Sequence, residues 1–115
     1  MTEVIKSYIM LPVTDMERAV GFYRSALDLE TLTESPGWSE FVLGAGVSLA
    51  LHAGMEGGMQ SGLGFYVDDL EAACQATEVA GGSCIGQPAN SSTSGLRLAT
   101  VADTEGNSFT LVQVI

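Results

Sequence analysis

Residues 11–23, LPVTDMERAVGFY, align without a gap to residues 65–77, FYVDDLEAACQAT, and this internal repeat decides how the chain is read. The two segments share Val13/Val67, Asp15/Asp69, Glu17/Glu71 and Ala19/Ala73, and each passes from an apolar strand pattern through a polar pair into a helical pattern. Thr14 with Glu17, and Asp68 with Glu71, place a capping side chain three residues ahead of a Glu. That spacing suits reciprocal capping of a helix start.

Working outward, Met16, Ala19, Val20, Tyr23 and Leu27 recur as one helical stripe and predict a helix over 16–27. Leu70, Ala73, Cys74 and Thr77 predict a second over 70–80, stopped by Gly81-Gly82. Strand-like runs follow each helix, at about 30–33, 39–43 and 47–52 in the first half and 83–85, 96–102 and 108–115 in the second. Turn signals separate them: Ser35-Pro36-Gly37, Gly44-Ala45-Gly46, Pro88 through Gly95, and Asp103 through Asn107. The fold class is α+β. The order β-α-β-β-β occurs twice, in a module at about 5–54 and another at about 62–115, joined by a polar, glycine-rich linker at about 55–61. The 115 residues amount to one domain.

With 46% hydrophobic and 16% charged residues the chain can bury a core, and its formal net charge of −10 narrows the partners. Fourteen Asp and Glu against four scattered cations (Lys6, Arg18, Arg24 and Arg97) repel phosphate backbones and anionic lipid, so neither nucleic acid nor membrane is an expected partner. No apolar run approaches a membrane span, and MTEVIKSYIM lacks the basic-then-apolar pattern of a signal peptide. Cys74 and Cys84 have neither metal nor redox-motif spacing and read as two reduced thiols of a cytoplasmic protein. Nothing in the sequence pairs either with His52 as an activated nucleophile, and the Gly44–Gly46 and Gly62–Gly64 patterns lack the context of a nucleotide-binding fingerprint.

The layout, together with LPVTDMERAVGFYRSALDLE at 11–30, the SPGWSEF and VSLALH runs, VDDLEAA at 67–73 and VADTEGNSFTLVQ at 101–113, resembles the vicinal oxygen chelate superfamily. That superfamily includes glyoxalases, extradiol dioxygenases, and fosfomycin- and bleomycin-resistance proteins. The D-x-x-G-N turn before an apolar strand carries the most specific part of the likeness. Asp28 stands where such proteins usually have Gly, and Thr104 where they usually have Pro. Asp tolerates the left-handed conformation a helix exit needs, and Thr fills a turn, so neither upsets the expected fold.

The resemblance implies a cup-shaped mixed sheet, half from each module, with helices outside and a ligand inside. Strand parity then assigns faces. Ile9, Leu11, Val13, Leu49, Leu51, Leu63, Phe65, Val67, Phe109 and Leu111 form a uniformly apolar helix-facing set. The opposite parity carries Tyr8, Met10, Ala50, His52, Gly62, Gly64, Tyr66, Thr110 and Val112, a mixture suited to contacting a ligand.

Metal-dependent members place donors on the first and last strands of each module, and the resemblance puts those positions at Tyr8, Ala50, Gly62 and Thr110. Metal sites draw on imidazole, carboxylate or thiolate, and none of these four supplies one. No metal or other cofactor is therefore expected, and an isomerase would lack both its Lewis acid and its base. His52, the single histidine, is either a hydrogen-bonded residue at a strand end, a ligand contact or general base, or part of a shifted metal site. Trp38 and Phe41 are read as bordering the ligand groove, with packing as the alternative for Trp38; Glu34, Glu40 and Glu56 are solvated carboxylates or attractors of a cation. The expected ligand-contacting set is Tyr8, Met10, Trp38, Phe41, Ala50, His52, Tyr66 and Thr110, with no catalytic residue assigned.

The leading reading is a metal-free protein that sequesters a planar or cationic small molecule, acting as a homodimer that completes its cups. A glyoxalase- or dioxygenase-like enzyme with a displaced metal is the alternative, and a dimeric interaction module the third.

Overall fold

The computed structural model describes residues 1–91 and 95–115. Its elements are β1 (Ser7–Val13), α1 (Met16–Leu27), β2 (Thr31–Thr33), β3 (Trp38–Gly44), β4 (Val47–Ala53), β5 (Gln60–Tyr66), α2 (Leu70–Val79), β6 (Ser83–Asn90), β7 (Leu96–Ala102) and β8 (Ser108–Val114). The βαβββ repeat is thus present twice. Each module builds its own four-stranded mixed sheet, ordered β1-β4-β3-β2 and β5-β8-β7-β6. A helical crossover makes the first two strands of a module point the same way, and two antiparallel reversals bring the last strand back beside the first, in parallel.

Both helices start where the periodicity predicts, at Met16 and Leu70, but their caps lie one residue later than the capping pairs suggested. The caps are Asp15 and Asp69, whose side chains accept hydrogen bonds from the backbone N–H of Arg18 and Ala72 at 3.1 Å each. Thr14 and Asp68 are not the caps, and Glu17 and Glu71 instead sit in the first turns, where a negative charge suits the helix dipole. At the far end of α1, Asp28 holds the left-handed conformation (φ 50°, ψ 39°) expected for its position.

β6 runs longer than predicted. Pro88 through Asn90, read as part of a turn, extend it by pairing Ala89 with Leu98 and Asn90 with Arg97. Pro88 is tolerated because β6 is an edge strand whose register shifts between Gly86 and Ala89. Residues 92–94 of that predicted turn lie outside the described residues. β5 likewise takes Gln60 and Ser61 from the predicted linker.

The buried core runs through both modules. Tyr23 of α1 has its ring 6.0 Å from Phe41 of β3 and 6.1 Å from Phe109 of β8, while Phe22, absent from the predicted stripe, lies 6.4 Å from Phe109. A helix packed on two sheets buries a wider stripe than one packed on a single sheet, which explains the extra position. Gly82 makes the α2–β6 exit possible: a Cβ there would fall 2.4 Å from the Ala102 carbonyl oxygen and 2.7 Å from Phe22. Gly82→Ala is accordingly expected to destabilise the protein by about 1–3 kcal/mol, read as a lowered thermal midpoint, because neither the backbone nor the packed ring can yield cheaply.

Candidate functional site

Parity along β3 sends Trp38, Glu40 and Val42 to the side away from the helices, and Ser39 and Phe41 towards the core. Phe41 therefore does not border a ligand groove. It is 0% exposed, is the Cα partner of Leu49, and packs on Tyr23. Positions 38 and 41 differ by an odd number, so a regular strand cannot aim both at one face.

On the open side of the first sheet Tyr8, Met10, Trp38 and His52 form one cluster, whereas Ala50, expected to contact a ligand, is 0% exposed because its neighbours cover its small side chain. Strand pairing sets Tyr8 beside Ser48, Met10 beside Ala50, Ala50 beside Glu40, and His52 beside Trp38. The Tyr8 and His52 rings each stand edge-on to the Trp38 indole, with centroids 5.5 and 5.8 Å away. The indole Nε1–H donates to Glu40 Oε2 at 2.9 Å, and Lys6 Nζ lies 2.7 Å from Glu40 Oε1. The Lys6 and Trp38 hydrogen bonds, in that order, hold the Glu40 carboxyl below the usual carboxylate range, with a further contribution from Ser48. His52 Nδ1 lies 2.7 Å from the Ala53 carbonyl, which can only accept, so Nδ1 carries the proton in that bond.

The rest of the expected set sits on the second sheet. Gly64 and Thr110 are Cα partners, as are Tyr66 and Val112. Among the described residues no strand pairing joins the two sheets, and Tyr8 and Tyr66 are 59% and 72% exposed, so neither open face covers the other. Two open clefts, of about 540 and 490 Å³, lie elsewhere: one is lined by Met16, Glu17, Glu34, Ser35 and Pro36, the other by Thr14, Gly54, Met55 and Glu56. Neither includes a residue of the cluster.

The donors present do not fit a divalent ion. Tyr8, Ala50, Gly62 and Thr110 bring a phenol, a methyl, a hydrogen and a hydroxyl, and among the described residues no three His, Cys, Asp or Glu side chains converge. Cys74 and Cys84 meet each other instead, with sulfurs 3.3 Å apart; burial and then the neighbouring Cys84 push the Cys74 thiol up to about 12.

Lys6 escaped the sequence reading because it precedes β1, in a segment without regular structure, and reaches Glu40 only through the tertiary fold. Glu40 had a signal: it lies two residues from Trp38 and shares its parity. Helix α1 is fixed above this sheet by a turn of the other module. Glu105 accepts from the N–H groups of Thr14 and Asp15 and from Arg18, and Asn107 Nδ2 donates to the Pro12 carbonyl at 2.8 Å.

The model of the Glyoxalase-like domain matches residues 8–112. No curated protein is significantly similar to the chain. A glyoxalase/bleomycin resistance protein/dioxygenase family enzyme from Burkholderia phytofirmans PsJN superposes with a TM-score of 0.80 at 18% identity, over 99% of this chain and 100% of that one, which speaks to the fold alone. TnmS3, an antibiotic-binding protein from Streptomyces sp. CB03234, superposes with a TM-score of 0.76 at 28% identity, over 100% and 98% of the two chains. A glyoxalase/bleomycin resistance protein from the same organism gives 0.71 at 29% identity, over 92% and 97%. Two βαβββ modules, and a family model spanning nearly all of both, place the chain in the Glyoxalase-like domain family of the vicinal oxygen chelate superfamily.

Proposed function

We propose that this protein binds a planar or cationic small organic molecule on its open sheet faces, without a metal, and sequesters it in the cytoplasm. The observation that carries this reading is the Tyr8–Trp38–His52 cluster, an aromatic and polar surface on the strand face where the superfamily's metal donors would stand. The antibiotic-binding neighbour TnmS3 supports a binding role over a catalytic one. Ligand contact is assigned to Tyr8, Met10, Trp38 and His52 on the first sheet, and to Tyr66 and Thr110 on the second; Ala50, fully buried, is left out. The proposal includes a homodimer: the two faces of one chain do not close on each other, and a second copy would complete each cup.

Elemental analysis after purification without chelator should show no stoichiometric zinc, nickel, manganese or iron; a reproducible one-to-one content would favour isomerase or dioxygenase chemistry instead. Light scattering at micromolar concentration should give twice the 12.0 kDa chain mass. Because Trp38 is the single tryptophan, a planar ligand should perturb the indole fluorescence directly, and Trp38→Ala should weaken its binding by about 1–2 kcal/mol while leaving far-UV circular dichroism unchanged. Unaltered affinity in that variant would remove Trp38 from the site.

A further inference from the structure

We infer that Glu40 is the charged anchor of this site and that Lys6 is its internal stand-in for the cationic group of an aromatic ligand, which displaces Lys6 on binding. The inference rests on the binding role proposed above and names the ligand class: a planar aromatic ring bearing a positive charge or a positively charged N–H donor.

Three carboxylates were candidates for attracting a cation, and the structure separates them. Glu34 is paired with Arg24, and Glu56 lines a cleft apart from the aromatic cluster. Glu40 alone of the three projects from the middle of the open sheet face, next to the indole. Its side chain is 14% exposed, and a carboxylate so far withdrawn from water requires a cationic or strongly donating partner. Trp38 holds one oxygen as part of the same cluster, and Lys6 covers the other.

Lys6 is the replaceable member. Its side chain is 44% exposed, and it belongs to residues 1–6, which form no helix or strand. The next residue is the first to join the sheet, with the Ser7 N–H donating to the Gly46 carbonyl at 2.8 Å. Withdrawing Lys6 therefore breaks a half-exposed ion pair and leaves the sheet intact, while the ammonium regains water as it leaves. An incoming aromatic cation compensates the negative charge of Glu40 in place of Lys6 and adds contact with the Trp38, Tyr8 and His52 rings, which a lysine cannot supply. A neutral ring of the same shape gains the ring contacts but would leave either Lys6 in its way or Glu40 uncompensated, so the site discriminates by charge.

The test uses the intact chain and two tricyclic probes of matched shape, 10-methylacridinium as the cation and 9-methylanthracene as its neutral counterpart, titrated by Trp38 fluorescence and by calorimetry. The wild-type protein should bind the cation more tightly than the neutral probe. Lys6→Met lies outside every helix and strand and leaves Glu40 its hydrogen bond from Trp38, so the fold should be kept at some cost in stability; it should tighten cation binding by about fivefold, corresponding to the loss of one competing exposed ion pair. Glu40→Gln should weaken it by about tenfold or more, with little change for the neutral probe. Equal binding of the two probes, unaffected by Lys6→Met, would overturn the charge-exchange proposal and leave the binding role standing. No binding of either probe by any variant would overturn both. Should Glu40→Gln fail to fold, the Lys6→Met result and the preference between probes still decide the matter.

Discussion

Replacing Glu105 with alanine is expected to remove about 2–4 kcal/mol of stability, a fall of roughly 8–16 °C in thermal midpoint for a chain of this size. The Glu105 side chain is 0% exposed, yet it carries more polar contacts than any other carboxylate in the described structure. It accepts from the N–H groups of Thr14 and Asp15 at 3.0 and 2.9 Å, from Arg18 Nε and Nη2 at 2.8 and 3.0 Å, and from the Thr104 hydroxyl at 2.8 Å. Thr14 and Asp15 sit at the start of α1, where backbone N–H groups have no partner within the helix. Alanine would orphan both and leave Arg18 without its bidentate partner. Because Glu105 belongs to module two and α1 to module one, the loss falls on the joint between them.

The same contacts set a pH dependence. Burial raises the Glu105 pKa, but the Arg18 hydrogen bonds, then the Asp15 N–H, the Thr104 hydroxyl and the Thr14 N–H outweigh it and bring the group to about 2. A carboxyl whose folded value lies below its unfolded value stabilises the fold fully above the unfolded value, near pH 4.3, and that contribution disappears as pH falls towards 2. Denaturant titrations between pH 6 and pH 2 should therefore show wild-type stability dropping across the lower part of the range. Glu105→Gln, which has no charge to lose, should start lower and show a shallower decline. Parallel curves for the two proteins would assign the acid sensitivity to other groups.

What the sequence revealed, and what it hid, follows from the range of the interactions involved. The repeat, the extent of α1 and most strand positions depend on periodicity and local turn chemistry, so they could be read from neighbouring residues. The helix-facing parity held for Leu11, Val13, Leu49, Leu51, Leu63, Phe109 and Leu111, all of them buried, because one sheet face must be apolar to meet the helices. Phe41 was misplaced by its aromatic character, although its parity with Leu49 could have corrected it. The Lys6–Glu40 pair, the Cys74–Cys84 approach and the Glu105–Arg18 joint could not be read that way, since each depends on how distant segments meet. Arg18 and Glu105 are 87 residues apart. Gly57 shows the same limit: it resembles an ordinary flexible linker residue, yet a Cβ there would fall 2.0 Å from the Glu105 carbonyl oxygen. The linker is thereby held against the joint, with the Gly58 N–H donating to that same carbonyl at 3.0 Å.

Phe109→Ala is expected to cost about 3–5 kcal/mol, the range for emptying a fully buried aromatic position, or roughly 12–20 °C in thermal midpoint. Phe109 lies on β8 of the second module, but its ring meets Phe22 and Tyr23 of α1 at 6.4 and 6.1 Å as well as Phe65 of β5 at 5.6 Å. Tyr23 in turn touches Phe41 of the first sheet and donates its hydroxyl to Asp103 Oδ2 at 2.6 Å. A cavity at Phe109 therefore weakens the support of both sheets through α1, and the modules should unfold as one unit. Trp38 provides the means to see this, because it is the single indole and lies in the first module, away from the substitution. In Phe109→Ala, the transition followed by Trp38 fluorescence should shift as far as the one followed by far-UV circular dichroism, and the two should coincide. A Trp38 transition left at its wild-type midpoint while the circular dichroism splits into two steps would show that each module folds independently. The contacts through Tyr23 would then be packing between two autonomous units, and a cup face on the first module could survive the loss of the second.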